Sequence, residues 1–269
     1  MHLGNSSPKK AWEYLKRAAV KDDEMILYAH QLAHTIGNIT YRRNGINGIA
    51  LCDPTFSFGC YHGVTEELLR QSGPRSIAYT LNQCRQMFPG ENNYAKGYAR
   101  CIHGMGHGLL IWEEFNLQKA LLDCDLLEEI DRRYCYDGVF MEYAFSNPEK
   151  NVFDDNPWII CTTLDERYRP SCARYLPSIL ETTFNPNLSK IADICLSAPT
   201  DTLRNHCIDH LGFLVWFQSK NDVKKVNKLC SSIRDDEYKY QCIARVAEEL
   251  VFQKYQGRRK NAPALSSTS

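Results

Sequence analysis

GCYHGVTEELL at residues 59–69 and RCIHGMGHGLL at 100–110 each place a cysteine, a histidine two residues on and then a glycine at the head of an apolar helical run. The frame returns in YCYDGVFMEYA (134–144), SCARYLPSILE (171–181), HCIDHLGFLVW (206–216) and QCIARVAEELV (241–251). Each of these cysteines has a companion upstream, which pairs Cys52 with Cys60, Cys84 with Cys101, Cys124 with Cys135, Cys161 with Cys172, Cys195 with Cys207, and Cys230 with Cys242. Pairs recurring about every 35 residues match the length of one helical hairpin. The sequence therefore predicts an all-α fold of αα-hairpin repeats, a solenoid or an αα-toroid, with a disulfide stapling each unit. YAHQLAHTIG at 28–37 fits the frame with Tyr28 at the cysteine position, as a further unit without a staple.

Helical geometry separates a structural face from a chemical one. At about 100° per residue, positions two and six after the cysteine lie near 200° and 240°, away from the sulfur. Those positions carry His30 and His34, His62 and Glu66, His103 and His107, and Asp137, with Glu142 one place off register. Two imidazoles spaced i, i+4 stand one turn apart on one face, the spacing that suits two ligands of a single metal ion. The expected metal ligands are His30, His34, His62, His103, His107 and Asp137. Glu66 and Asp137 are also the candidate catalytic carboxylates, one acting as general base toward a water polarised by the ion. His206, His210 and Asp209 form a further group, rotated by roughly 60° on an ideal helix, that could be a second site or a structural pair. Imidazoles mixed with carboxylates suit Zn or Fe, with Cu also compatible, and do not suit an all-oxygen Mg or Ca cage. The same histidines could instead line a polar groove that holds no metal. Gly63, Gly104 and Gly138, each following the key residue, carry a helix cost of about 0.5–1 kcal/mol. Close helix packing or close approach of a ligand would offset it.

The chain has 269 residues, 43% of them hydrophobic, enough for a sizeable core. Lys+Arg and Asp+Glu both number 32, so no charge excess points to nucleic acid or an anionic membrane. No run approaches the 18 or so apolar residues of a membrane span. Repeated cysteine pairs with none left over indicate an oxidising compartment, extracellular or periplasmic. MHLGNSSPKK has no apolar h-region, so the reading expects a signal sequence to lie outside this chain. Were the cysteines reduced instead, Cys60 and Cys101 would become candidate thiolate ligands. Closing loops of about 8 to 17 residues, each bridge contributes about 2–3 kcal/mol in the chain-entropy model.

Asn, Asp or Pro precedes each outer helix as a start signal, as in NLQKALLDC, NLSKIADIC and NDVKKVNKLC. The expected organisation is a tail over 1–8, a single αα-repeat domain of about seven hairpins over 9–254, and a tail over 255–269. SNPEKNVFDDNP at 146–157 is the longest polar insertion, a linker or a lid.

CYHG and CIHGMGHG resemble the inner-helix starts of lanthipeptide cyclases, αα-toroids whose zinc is held by two cysteines and a histidine. That likeness covers only those few residues. The stapled hairpins also resemble Sel1-like repeats, whose paired cysteines are more tightly spaced and which lack the histidine array. Together the observations favour a metal-dependent enzyme, a hydrolase or an O₂-activating oxidase, acting on a small-molecule, peptide or glycan ligand. A metal-free stapled scaffold binding a peptide or glycan on its concave face is the alternative. What separates them is convergence, since a metal site requires histidines of different hairpins to meet and a scaffold leaves them strung along a groove.

Overall fold

The computed structural model describes residues 7–21, 23–88, 97–146, 156–184, 187–219 and 222–259. These residues form helices joined by turns, with no β-strand among them. In chain order the helices are α1 (Pro8–Lys21), α2 (Asp23–Asn44), α3 (Gly59–Ser72), α4 (Ile77–Met87), α5 (Gly97–Trp112), α6 (Leu117–Cys124), α7 (Glu129–Ser146), α8 (Ile159–Thr162), α9 (Arg169–Phe184), α10 (Leu188–Leu196), α11 (Asp201–Ser219), α12 (Val223–Cys230) and α13 (Asp236–Arg259). Short 3-10 turns at Gly45–Leu51 and Gly73–Ser76 lead into and out of α3.

All six cysteine pairs are disulfides with the connectivity given by the sequence frame. Cys52 is bonded to Cys60, Cys84 to Cys101 and Cys124 to Cys135. Further along, Cys161 is bonded to Cys172, Cys195 to Cys207 and Cys230 to Cys242. No free cysteine is found among the described residues. Cys60 and Cys101 are thus bonded sulfurs and not thiolate ligands, so a cyclase-like Cys2His zinc site is absent from these positions. In four of the pairs the bridge ties the last turn of a short helix, α4, α6, α10 or α12, to the first two turns of the long helix that follows. Cys207 and Cys242, on α11 and α13, are therefore staple residues of the second half of the chain. Both side chains are fully buried there, away from solvent. The start signals work as expected for three of the short helices. Asn116 accepts from the Lys119 N–H, Asn187 from the Lys190 N–H, and Asp222 from the Lys224 and Lys225 N–H groups. Each such cap contributes about 1 kcal/mol.

The contacts divide the chain into two compact units, Met1–Asn151 with Ile160–Cys172, and Val152–Ile159 with Ala173–Ser269, where the sequence frame expects one domain over 9–254. In the first unit α2 packs on α1 and α3, α3 on α5, and α5 on α7, an order compatible with an αα-repeat. α5 is buried nearly all round, with Ile102, Met105, Leu109 and Leu110 fully enclosed, as an apolar helix between two neighbours must be. In the second unit α11 packs on α10, α12 and α13, and Ile191, Ile208, Ile179 and Leu180 lie in its core. α13 continues to Arg259, beyond the boundary expected at 254, while the rest of the C-terminal tail and most of the 146–157 insertion lie outside the described residues.

The repeated glycines resolve into one register. A Cβ at Gly63 would lie 2.1 Å from the His34 carbonyl oxygen, one at Gly104 would lie 2.7 Å from that of His62, and one at Gly138 would lie 1.9 Å from that of His103. At three successive interfaces the glycine of one long helix thus rests on the backbone of the key residue of the helix before it. Of the two roles open from sequence, close packing is the one found. Its effect is to draw together the helices that carry the imidazoles.

Candidate metal centre

The first unit brings five of the predicted ligands together. His30 and His34 come from α2, His62 from α3, and His103 and His107 from α5. Their rings form a continuous cluster with centroid separations of 4.7 Å (His30–His34), 5.0 Å (His34–His62), 5.0 Å (His62–His103) and 4.9 Å (His103–His107). Among the described residues, three groups of donor atoms could hold a metal ion, each with all its atoms within 4.8 Å. They are His30 with His34 and His62, then His62 with His103 and His107, and finally Glu66 with His107 and Glu142. His62, His103 and His107 are buried, at 1%, 3% and 2% exposure, and His30 and His34 are partly exposed. Solvent therefore reaches the cluster from the α2 side.

Hydrogen bonds fix which nitrogen of three of these rings carries the proton. A carbonyl oxygen only accepts, so the 2.8 Å contact between His30 Nδ1 and the Phe56 oxygen places the proton on Nδ1. His34 Nδ1 donates to Glu66 Oε2 at 2.8 Å, and His107 Nδ1 donates to Glu142 Oε2 at 2.8 Å. With Nδ1 so engaged, Nε2 is the nitrogen of each of these three rings left to act as a metal donor. The Nε2 atoms of His30 and His34 lie 3.2 Å apart, and His62 Nδ1 lies 3.1 Å from His34 Nε2. The Nε2 atoms of His62 and His107 are buried with no hydrogen-bond partner. Burial first, and then the neighbouring imidazoles, hold His30 down to about 3 and His62 and His103 well below the ordinary histidine range. Burial alone would raise the Glu142 carboxyl, but the hydrogen bond from His107 outweighs it and holds that carboxyl below its usual range. An imidazole whose Nδ1–H is held by a carboxylate or a carbonyl, as in His30, His34 and His107, has the arrangement that metal-ligating histidines adopt.

Local structure explains how the supporting groups arrive. Phe56, Ser57 and Phe58 have φ of 55°, 52° and 64°, a run of three non-glycine residues in the left-handed region. The Cys52–Cys60 bridge encloses this run, which delivers the Phe56 carbonyl to His30 and ends at the first turn of α3. Asn38, four residues after His34 on α2, donates to Glu66 Oε1 at 2.9 Å, so both oxygens of Glu66 are engaged. Met141 brings its sulfur to 3.2 Å from His103 Nε2.

Asp137 is partly exposed and belongs to none of the three donor groups, whereas Glu142 belongs to one. In the second unit, His206, His210 and Asp209 form no three-donor group among the described residues. His210 Nε2 lies 2.7 Å from Ser178 Oγ and its ring packs on Tyr175 and Phe213. The Arg174 guanidinium donates to His206 Nδ1 at 3.3 Å and pairs with Asp209 at 3.5 Å. Sequence reasoning missed Asn38, Met141 and the Phe56 carbonyl. Asn38 could have been found as the next i+4 step after His30 and His34, while nothing in the sequence marks the other two. Comparison with protein-family models, curated proteins and solved structures finds no match.

The six disulfides fit an extracellular or otherwise oxidising environment. Among the described residues no helix is long and apolar enough to cross a membrane.

Proposed function

We propose that the chain is a secreted or periplasmic metal-dependent enzyme whose centre is built by His30, His34, His62, His103 and His107. The observation that carries the reading is that a carbonyl or a carboxylate holds Nδ1 of His30, His34 and His107, which leaves Nε2 of each as the donor, with His30 and His34 Nε2 3.2 Å apart and His107 Nε2 buried without a partner. Histidines from three helices converge instead of lining a groove, which favours a metal centre over a scaffold.

A transition-metal ion held there would supply Lewis acidity, lowering the pKa of a bound water from about 15.7 to about 7, and this makes hydrolysis the simplest reaction for the set. Glu66 and Glu142 orient His34 and His107 and raise their donor strength. Asp137, at the position that His62 and His103 occupy on their helices, is the carboxylate assigned as general base. His30 and His34 face the accessible side. Arg100 lies on the same stripe of α5 as His103 and His107 and makes no ion pair among the described residues. Its charge adds to the forces that keep His30 and His103 neutral, and it suits an anionic group on the substrate.

The test is elemental analysis of the protein purified without a histidine tag, alongside His103→Ala and His210→Ala. Stoichiometric transition metal is expected in the wild type and in His210→Ala, with marked loss in His103→Ala at unchanged helical circular dichroism. Activity on chromogenic ester or phosphoester probes should disappear on chelation and return with the metal. A wild type free of transition metal, or full retention in His103→Ala, overturns the reading.

A further inference from the structure

Five imidazoles exceed the four positions of a tetrahedral ion, and their arrangement shows how the excess is used. Two of the three donor groups consist of histidines alone, and they share one residue, His62. Its ring centroid lies 5.4 Å from that of His30, 5.0 Å from His34, 5.0 Å from His103 and 6.1 Å from His107, in the middle of the cluster. Its two nitrogens are not equivalent in surroundings. Nδ1 meets His34 Nε2 at 3.1 Å, and Nε2 is buried without a partner. The nitrogens of an imidazole point in divergent directions, so one ion can take only one of them. We infer that the centre is dinuclear, with the His62 ring shared between an ion bound by His30 and His34 and an ion bound by His103 and His107.

This rests on the metal-centre reading above and adds nuclearity and the bridging ligand. Each pair of outer histidines has one ring backed by a carboxylate, Glu66 behind His34 and Glu142 behind His107, and the two carboxylates meet around His107 with donor atoms within 4.8 Å of one another. When the second ion binds, the remaining N–H of His62 gives its proton to solvent and the ring becomes an imidazolate. That additional negative charge lies between the two cations. The backbone geometry keeps the shared ring in place, because Gly63 seats α3 against the His34 carbonyl and Gly104 seats α5 against the His62 carbonyl.

Copper(II) is the probe, since two copper(II) ions joined through an imidazolate couple their spins antiferromagnetically. The full chain loaded with copper(II) should hold two ions, with a low-temperature paramagnetic resonance signal integrating to far less spin than the copper present. His34→Ala and His107→Ala should each retain one ion with its full uncoupled signal, and circular dichroism should show both variants folded. Two ions with full spin, or one ion in the wild type, overturn the bridge while leaving the metal reading intact. No bound copper, and no other transition metal, overturns both.

Discussion

Gly138→Ala tests whether the helices are as close as the site requires. Alanine is favoured over glycine within a helix by about 0.8–1.0 kcal/mol, so an α7 free of close neighbours would be stabilised by this change. The structure reverses that sign. The new Cβ would stand 1.9 Å from the His103 carbonyl oxygen, 2.9 Å from its carbon and 3.2 Å from Gly106 Cα, where ordinary contact begins at 3.4 Å. Reaching contact demands 3.4 − 1.9 = 1.5 Å of movement. The obstacle is backbone, so no side-chain rotation relieves it, and α5 and α7 must part. Overpacking of this kind costs about 1–3 kcal/mol, and with a backbone obstacle at the upper end of that range the net loss after the helix gain is on the order of 2 kcal/mol. The displacement also exceeds the ~0.5 Å within which a site must be held. Affinity at His62, His103 and His107 should fall about 10–100-fold, the range found when groups supporting a ligand are removed. Urea unfolding followed by circular dichroism reads the first effect, and competition with a chromophoric chelator reads the second. An unfolding midpoint that is unchanged or raised, together with unaltered affinity, refutes the close approach and the role given to the glycines.

Two further outcomes follow from the supporting groups. Glu66→Gln keeps the volume but cannot accept on both sides from His34 and Asn38, so metal affinity should fall about 10–100-fold with little change in helical content, and equal affinity by chelator competition would remove Glu66 from the site. The metal-free protein should lose stability in acid. His30 and His210 are pushed down to about 3, and His62 and His103 well below the ordinary value. Below about pH 6.5 the unfolded chain therefore takes up protons that the folded chain does not, and stability is flat above that pH and falls as pH drops toward 3. One imidazole kept neutral contributes a loss on the order of 2 kcal/mol between pH 7 and 5. Asp123, pushed up to about 6 mainly by burial, and Asp131, also raised mainly by burial, act in the opposite sense, but they are two groups against four histidines. A urea midpoint at pH 5 equal to or above that at pH 7 would contradict this balance.

The sequence made the hairpins legible because cysteine pairs, caps and helical periodicity repeat, and the imidazole faces followed from a fixed angle to each cysteine. What escaped it depends on neighbours. Met141 takes the sixth place after Cys135, where its counterparts carry Glu66 and His107, and Glu142 still reaches His107 from one position further on because its side chain is long. Asp137 has the register of His62 and His103 but a shorter side chain, and it joins none of the groups. His206 and His210 share an i, i+4 spacing with the ligands, yet Arg174 and Ser178 on α9 engage them. The left-handed run Phe56–Phe58 contains no glycine, so no residue type announced it.

The disulfides join each cysteine to the next one along the chain without exception, with separations from 8 to 17 residues. An oxidant that simply couples thiols in the order of the chain would produce the native set, from Cys52 with Cys60 through to Cys230 with Cys242. Each native bond can close before the cysteines of the next pair are needed, so forming the set in chain order requires no bond to be broken and remade.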